Sequence, residues 1–355
     1  MAVKSSGRAR RITPIEPSVI SMTPVEALER IIHCLDRAHI EGFKTKAWVR
    51  ALDVARATPL DELVARRGAR TLTDLPGIGE STARVIEEAI DGEVPAYLIK
   101  LEAETAWPMS DGAAAIRARL RGDCHSHSLW SDGGASIERM ARTARDLGHE
   151  YLVLTDHSPR LTIAHGLNRQ RLEDQLIEVE VLNKELAPFR ILRGMEVDIN
   201  EDGTLDLDDD LLVRLDVVVA SVHSKLRMER QSMTERMVRA VASPHVDILG
   251  HCTGRLIEKR PQSVFDADYV FAACAQFATA VEINSRPERL DPPLELLHIA
   301  IDHGCLFTVD TDAHATGQLE WQAHGCEIAA GGGVPVERIM NTRDAESLVA
   351  WTADR

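Results

Sequence analysis

Seven short apolar runs of this 355-residue sequence each end in a histidine, a carboxylate or an asparagine. The endings are Asp123-Cys124-His125-Ser126-His127, Thr155-Asp156-His157, Gly194-Met195-Glu196, Ser221-Val222-His223, Gly250-His251, Glu282-Ile283-Asn284 and Asp310-Thr311-Asp312-Ala313-His314. A single His-x-His pair shows only that two side chains share one face of a strand. Repeated endings of this kind, each after a run rich in Val, Leu and Ile, indicate a site that holds several metal ions.

Histidines and carboxylates together suit a site for several dications. Two dications in such sites lie about 3.5–4 Å apart, so a bridging carboxylate is needed to offset part of their repulsion. Imidazoles fill further positions without adding charge, and they leave room for water and substrate. A water between two such ions loses its proton near neutral pH and becomes a nucleophile, which predicts metal-dependent hydrolysis.

Several acidic residues in these runs have other interpretations. Asp132 lies in a Ser-Asp-Gly sequence, which is also an ordinary turn. Asp123 and Asp156 are predicted to orient neighbouring histidines by hydrogen bonding, and Asp310 is predicted to be structural. Glu196 differs from these, because an unpaired carboxylate within an apolar run would be costly to bury. A structural role alone therefore does not explain Glu196.

The apolar runs are separated by stretches with helical periodicity, such as residues 136–147 and 169–186. Strands that alternate with helices predict a parallel β/α architecture, in which functional groups gather at the carboxyl ends of the strands. All seven endings fall at such positions. Seven strands instead of eight predict a variant of the β/α barrel, and an open doubly wound sheet is the structural alternative.

The first 110 residues follow a different pattern. Residues 1–21 are predicted to be a disordered basic tail, and residues 22–110 a small all-helical domain. Leu28 and Ile31 recur at the spacing of one helix face, and Thr23 with Glu26 predicts a capping box. The predicted metal-binding domain then occupies residues 121–355.

Charge and composition agree with this division. Residues 1–120 hold 17 basic and 17 acidic residues, whereas residues 121–355 hold 24 basic and 39 acidic residues and 12 of the 14 histidines. Such a domain suits cations better than it suits bare phosphate, although much of the acidity also fits a solvated surface. The six cysteines form no Cys-x-x-Cys pair, and no apolar stretch reaches the length of a membrane span. We therefore expect a cytoplasmic protein without membrane contact.

The order of these motifs resembles the PHP (polymerase and histidinol phosphatase) superfamily across residues 121–355. The matching motifs are D-x-H-x-H, S-D-G, T-D-H, G-x-E, S-x-H, G-H and D-A-H. This resemblance implies a distorted seven-stranded β/α barrel with two or three divalent ions, for which zinc, manganese and iron are all suitable. It implies His125, His127, Glu196 and Asp312 at the first ion, Glu196, His223 and His251 at the second, and Asp132, His157 and His314 at the third. Glu196, Asp312 and His157 are the residues expected to be central to catalysis.

Five segments resemble more closely the PHP domain attached to bacterial family X DNA polymerases, namely residues 194–199, 202–206, 221–224, 253–256 and 289–291. Asp132 also favours the resemblance to the polymerase-attached domain, because many small-molecule phosphatases of the superfamily carry histidine at this position. Cys252 departs from the family pattern, which has proline after this histidine. The candidate substrate contacts are Lys225, Arg255, Asn284 and Arg289, each of which could instead form a structural contact at the rim.

The helical domain carries a helix-hairpin-helix signature. Its sequence is Asp74-Leu75-Pro76-Gly77-Ile78-Gly79, and the glycines allow backbone amides to approach a DNA phosphate. The resemblance implies DNA binding through Gly77, Ile78 and Gly79, together with a monovalent cation at the hairpin. Glu80 follows the turn and the domain is neutral overall, so a role in packing or protein contact remains the alternative.

A family X polymerase also needs a nucleotidyl-transfer palm, and only about twenty residues separate the two predicted domains, too few for another domain. The sequence therefore predicts a metal-dependent phosphoesterase that does not polymerise. DNA 3′ ends are the preferred substrate, in 3′–5′ exonuclease or repair activity. One alternative is a small-molecule phosphatase such as histidinol-phosphate phosphatase. The other is a non-catalytic DNA-binding module.

Overall fold

A computed structural model describes residues 22–40 and 42–354, so the predicted tail at residues 1–21 lies outside the described part. The described residues divide into two compact units. One takes the described residues up to Leu35 and those from Ile40 to Thr105, and the other takes Asp36–His39 and everything from Ala106 onward. Within the described residues, no helix is both long enough and apolar enough to cross a membrane.

The first unit is all-helical. Its helices are α1 (Pro24–Arg37, whose last turn belongs to the second unit), α2 (Phe43–Ala57), α3 (Leu60–Ala69), α4 (Glu80–Ile90) and α5 (Ala96–Thr105). Thr23 and Glu26 form the predicted capping box at the start of α1: the Thr23 amide donates to Glu26 Oε2 over 2.7 Å, and the Glu26 amide donates to Thr23 Oγ1 over 3.2 Å. Leu28 and Ile31 are fully buried in the core of this unit.

The second unit is built on seven parallel strands in sequential order. They are β1 (Gly122–Ser126), β2 (Tyr151–Leu154), β3 (Arg190–Asp198), β4 (Val217–Ser221), β5 (Ile248–Leu249), β6 (Ala280–Asn284) and β7 (Phe307–Asp310). Beyond the last strand, Ser126 bridges Ala313, and the His127 amide donates to the Ala313 carbonyl over 2.8 Å. Because the first and last strands meet, the sheet is a seven-stranded β/α barrel, as predicted, and not the open doubly wound sheet.

Helices cover the outside of this barrel. They are α6 (Asp111–Arg117), α7 (Ile137–Asp146), α8 (Arg169–Leu186), α9 (Asp209–Leu212), α10 (Arg230–Val241), α11 (Ala267–Phe277), α12 (Leu294–Asp302), α13 (Gln322–Gly332) and α14 (Ala345–Ala353). Short polar side chains start several of them: Ser136 accepts from the Arg139 amide, and Asn168 accepts from the Arg171 amide. With helices on one face and a filled interior on the other, the strands are buried on both faces.

The amino ends of the strands are closed by an apolar cluster. Tyr151, Leu192 and Ile248 pack there against Met340 and Leu348 from the C-terminal segment. Gly122 makes room for this packing, since a Cβ at this position would lie 2.2 Å from the ring of Tyr151. Only the carboxyl ends of the strands therefore carry the polar residues singled out in the sequence.

Candidate metal centre

A bulge in β1 includes the first candidate ligand, His125, and precedes the second, His127. The pairing of β1 with β2 shifts by one residue between Asp123 and Ser126. Such a bulge re-aims the side chains that follow it. His125 and His127 are both completely buried, and their rings lie 5.1 Å apart between centroids.

Glu196, on β3, lies at the centre of the candidate site and is fully buried. Its Oε1 is 2.8 Å from His251 Nε2 and 3.2 Å from His223 Nε2. Its Oε2 is 2.9 Å from His157 Nδ1 and 3.3 Å from His125 Nε2. His127 Nε2 also lies 3.7 Å from Oε2. The two carboxylate oxygens thus face different imidazoles, two at Oε1 and three at Oε2, which suits a carboxylate that would bridge two cations.

Asp312 lies on the other side of the two β1 histidines. Its Oδ1 is 3.4 Å from His127 Nε2, 3.9 Å from His125 Nε2 and 3.6 Å from His314 Nδ1. Its backbone has φ of +54°, a left-handed conformation that is unusual outside glycine. Strain of this kind is typical of functional sites, because the surrounding structure must hold the residue in place.

Asp132 lies at the solvent side of the cluster. Its Oδ1 is 3.5 Å from His157 Nε2 and 3.4 Å from His314 Nε2. The Asp132 side chain is 34% exposed and that of His314 is 19% exposed, so water and substrate can reach this part of the cluster. Although burial alone would raise the pKa of Asp132, the neighbouring His314 and His127 imidazoles lower it.

These nine side chains form four overlapping sets in which the ligand atoms lie within 4.8 Å of one another. The sets are His125–His127–Asp312, His125–Glu196–His251, His157–Glu196–His223 and His127–Asp132–His157–His314. The structure thus brings together all nine predicted ligands. It also places His127 beside the Asp132 set and His125 beside His251, which the sequence-based allocation did not include.

The electrostatics of the cluster favour a bound cation. Burial would raise the pKa of Glu196, but the surrounding His223 and His125 imidazoles hold it well below its usual range. Burial and the neighbouring His314 and His157 lower the pKa of His127. Both nitrogens of His127, together with His125 Nε2 and Glu196 Oε2, are buried without a hydrogen bond of normal geometry. Buried polar atoms that converge without pairing are rare, and here the donor set fits divalent metal ions.

Three of the candidate histidines are oriented by oxygen atoms that are not among the proposed ligand atoms. Glu282 Oε1 lies 2.6 Å from His125 Nδ1. Asp198 Oδ1 lies 3.4 Å from His223 Nδ1, and the Asp312 carbonyl lies 2.9 Å from His314 Nδ1. Burial would lower the pKa of His223, but Glu196 and Asp198 raise it to about 9. Sequence analysis assigned no role to Glu282 or Asp198, although each is a carboxylate within a buried strand.

The three aspartates given supporting roles bond mainly to backbone and hydroxyl groups. Asp123 accepts from the His125 amide over 3.1 Å, and Asp310 accepts from the Cys124 amide over 2.8 Å. Asp156 accepts from the Ser128 amide over 2.8 Å and from the hydroxyl of Ser131. Asp156 therefore holds the loop that carries Asp132, and it does so without contacting a histidine ring.

The four candidate substrate contacts have different surroundings. Arg289 Nε donates to Asp312 Oδ2 over 3.1 Å, and Arg289 Nη1 is buried without a partner. Asn284 is buried, and its Nδ2 donates to Asp312 Oδ2 over 3.3 Å. Arg255 donates to the carbonyls of Arg289 and Leu290, which occupies its guanidinium with the loop after β6. Lys225 is exposed, with φ of +54°.

One further basic residue lies beside the cluster and was not identified from sequence. Arg286 Nη1 is 3.4 Å from His314 Nδ1 and 4.0 Å from Asp312 Oδ1. Its position two residues after Asn284 is the only sequence signal that could have indicated it.

The hairpin lies between α3 and α4 in the helical unit. Gly77 has φ of +102°, and a Cβ there would lie 3.3 Å from Val54 Cγ2. Ile78 is buried and its amide donates to the Leu75 carbonyl over 3.0 Å. Gly79 begins α4, and its amide donates to Thr82 Oγ1 over 2.9 Å. The turn therefore has the tight, glycine-dependent geometry expected of a helix-hairpin-helix.

Comparison with known proteins finds relatives of the barrel unit. The PHP domain family model matches residues 123–286. The "DNA polymerase/3'-5' exonuclease PolX" of Bacillus subtilis is 39% identical over 233 residues, which cover 66% of this chain and 41% of that protein. This chain therefore spans less than half of that relative. A "Probable phosphatase" of Thermoanaerobacter sp. strain X514 is 27% identical over 231 residues, which cover 62% of this chain and 89% of that protein.

Among solved structures, one match is the histidinol phosphate phosphatase of Lactococcus lactis in complex with zinc, L-histidinol and phosphate. It has a TM-score of 0.41 and 18% sequence identity, and the match covers 60% of this chain and 94% of that chain.

Proposed function

We propose that this protein, whose residues 123–286 match the PHP domain family model, is a metal-dependent phosphoesterase that hydrolyses phosphodiesters at DNA 3′ ends. The activity would be that of a 3′–5′ exonuclease or a 3′-end processing enzyme. The observation that carries the proposal is the buried Glu196, which has imidazoles at both oxygens and lies beside the exposed Asp132 and the partly exposed His314. This arrangement combines a fixed metal-binding core with an open side for substrate.

We assign two to three dications to the nine clustered side chains, with Glu196 shared between the first two. When bound, such ions activate water and stabilise the phosphoryl oxygens during displacement. The chain's own residues position the substrate around them. Arg289 is held by Asp312 at Nε and has a buried, unpartnered Nη1, so it can donate to a phosphoryl oxygen. Arg255 fixes the loop that carries Arg289, and Asn284 fixes Asp312.

Two observations favour DNA over a small phosphate ester. The relative with 39% identity has a name that includes a 3′–5′ exonuclease, and the matched region covers 66% of this chain. The helical unit carries the glycine hairpin, where a Cβ added at Gly79 would meet no atom within 4 Å, so this position is open to a phosphate. Backbone contacts of this kind hold DNA without reading its sequence.

The phosphatase relatives favour the second candidate function, a small-molecule phosphatase, because the match covers 89% of one such protein's length. The clustering of all nine proposed metal ligands argues against the third hypothesis, a non-catalytic DNA-binding module.

One assay separates the two enzymatic functions. Single-stranded oligonucleotides labelled at the 3′ or the 5′ end are incubated with the full chain and Mn²⁺, beside histidinol phosphate. We expect stepwise shortening of the 5′-labelled strand, early release of the 3′ label, and little phosphate from histidinol phosphate. Turnover of histidinol phosphate with intact oligonucleotides would assign the protein to the phosphatases.

The hairpin is tested by Gly79→Asp, which adds a negative charge where a side chain meets no neighbouring atom. We expect the KM for oligonucleotide to rise about tenfold, or about 1.4 kcal/mol of binding. Gly68→Asp is the matched control, since Gly68 lies on α3 and also has an open Cβ position. Equal effects of the two variants would show that the hairpin makes no specific contact with DNA.

A further inference from the structure

Glu282 is a fully buried carboxylate on β6 that belongs to none of the four candidate metal sets. Its chain neighbours Val281 and Ile283 are also fully buried, so an apolar residue would fit this strand. Within the described part of the chain, its only ion-pair partner is His125. An isolated carboxylate is costly to bury, and the contacts that it makes must therefore account for it.

Both oxygens of Glu282 are occupied by groups that carry proposed ligands. Oε1 lies 2.6 Å from His125 Nδ1, on the side of the ring opposite to the Nε2 that faces Glu196. Oε2 accepts from the His251 amide over 2.5 Å and from Asn284 Nδ2 over 3.2 Å. Since neither oxygen points at the cluster, Glu282 contacts ligands without being one.

We propose that Glu282 is a positioning residue that sets the affinity and geometry of the metal sets containing His125 and His251. An imidazole that binds metal through Nε2 must carry its proton on Nδ1, and a carboxylate at Nδ1 fixes that tautomer and the plane of the ring. The carboxylate also makes Nε2 of the same ring a better electron donor to a metal ion. Glu282 supplies this contact to His125.

The second oxygen extends the same control to two other ligands. The bond to the His251 amide fixes the backbone of His251 itself, two residues after the end of β5. Asn284 Nδ2 donates to Glu282 and also to Asp312 Oδ2, over 3.3 Å. One carboxylate thereby reaches ligands of two metal sets, His125–Glu196–His251 and His125–His127–Asp312.

The remaining ligands lie outside this network. Asp132, His157 and His314 have no hydrogen bond to Glu282, and His314 is oriented instead by the carbonyl of Asp312. The loop of Asp132 is held by Asp156. The loss of Glu282 should therefore weaken some metal sites and leave the Asp132–His157–His314 site close to normal. This selectivity distinguishes a positioning role from a general contribution to folding.

The inference rests on the proposed ligand set and not on the choice of DNA as substrate. Its test uses the full chain, freed of metal by chelator and then dialysed against graded concentrations of free Co²⁺. Bound equivalents are measured by elemental analysis, and the geometry of each site is followed by the visible absorption of Co²⁺. Both readouts are independent of catalysis, so failure to cleave DNA would not affect them.

We expect Glu282→Ala to lower the affinity for two of the bound Co²⁺ equivalents by about 10- to 100-fold and to change their visible absorption. One equivalent should keep its wild-type affinity. The cobalt affinities of Glu282→Gln should lie between those of the wild type and those of Glu282→Ala. The reason is that the single carbonyl oxygen of Gln can accept from His125 or from His251 but not from both. The matched control is Asp216→Asn, which removes another buried carboxylate that pairs with Arg193 before β4. This control should lower stability and leave all cobalt affinities unchanged.

Unchanged cobalt affinities in both Glu282 variants would overturn the proposal. Equal weakening of every equivalent would also overturn it, since a positioning role requires selectivity. If Glu282→Ala does not fold, the nearly isosteric Glu282→Gln carries the comparison alone. A wild-type chain that binds fewer than two equivalents would refute the ligand set and this inference with it, whatever the substrate is.

Discussion

At the carboxyl ends of the strands, the buried Glu196 faces five imidazoles, whereas before β4 the buried Asp216 is paired with Arg193. We call the first region, formed by the nine proposed ligands, the metal-binding end. We call the region around the amino ends of the strands, which includes Asp216, His149 and Asn341, the closed end. Both contain buried polar groups, but their partners differ.

At the closed end, the buried Asp216 and Asn341 are paired with other groups of the protein. Asp216 accepts from the backbone amide of Arg193 over 2.8 Å and from its guanidinium over 2.6 Å. Asn341 accepts from the Val309 amide over 3.1 Å and donates to the carbonyls of Val309 and Gly122 over 2.8 and 3.1 Å. At the metal-binding end, several nitrogens and one carboxylate oxygen lack such partners. The comparison indicates that one end stabilises the fold and the other is completed by cations.

The largest expected effect is at the metal-binding end. Glu196→Gln removes the charge shared between two metal sets, so we expect loss of at least one bound metal and a fall in kcat of about a thousandfold or more. That fall corresponds to about 4 kcal/mol of transition-state stabilisation. Phosphoesterase rates and elemental analysis of the purified variant measure it. A variant with full metal content and activity would refute the bridging role.

The next effect is at the closed end and should appear in stability. Asn341→Ala leaves the Val309 amide without its partner and removes one of the two donors to the Gly122 and Val309 carbonyls, to which Gln322 still donates. We expect a loss of about 1–3 kcal/mol in the free energy of unfolding. Urea denaturation measures this loss. Activity per folded molecule should change less than twofold at a temperature where the variant is folded. A large fall in activity with unchanged stability would reverse the comparison between the two ends.

A pH effect comes from His149 at the closed end. Burial and the nearby Arg117 lower the pKa of His149 to about 3, and Arg117 Nη2 lies 3.0 Å from His149 Nε2. Below about pH 6.5 the unfolded chain takes up a proton that the folded chain refuses, so stability is lost as the pH falls from 6.5 toward 3. The loss at pH 5 should be about 2 kcal/mol.

His149→Gln keeps an acceptor for Arg117 but cannot titrate. We expect the difference in unfolding free energy between pH 7 and pH 5 to be smaller in this variant than in the wild type, with chelator present in both. An identical pH dependence in the two proteins would show that His149 does not contribute.

The smallest expected effect concerns the rim of the metal-binding end. Lys225 is exposed, so Lys225→Ala should not change stability measurably. If its charge contacts a substrate phosphate, the KM for oligonucleotide should rise about threefold to fivefold, which is below about 1 kcal/mol, and the effect should shrink with added salt. Steady-state kinetics at two ionic strengths measure it. An unchanged KM would leave Lys225 as a solvated rim residue.

The sequence by itself determined the fold class, and it singled out the residues that the fold brings together at the metal-binding end. Apolar runs that alternate with helical stretches predicted parallel strands, and parallel strands place their carboxyl ends at one edge. For that reason His125, Glu196 and Asp312 could be expected to meet although they are far apart in the chain. Proposed ligands of this kind can be recognised from the sequence, because a charged residue at the end of an apolar run is unusual.

Tertiary structure alone decided how those residues are shared and supported. Three features depend on pairing between strands: the one-residue shift in β1 around His125, the sharing of His127 between two sets, and the contact between Glu282 and His125. The closed barrel likewise required β1 to meet the segment after β7, which sequence patterns left open beside a doubly wound sheet. Hydrophobic periodicity specifies which face of a strand is buried, but it carries no information about which atoms of neighbouring strands then come within hydrogen-bonding distance.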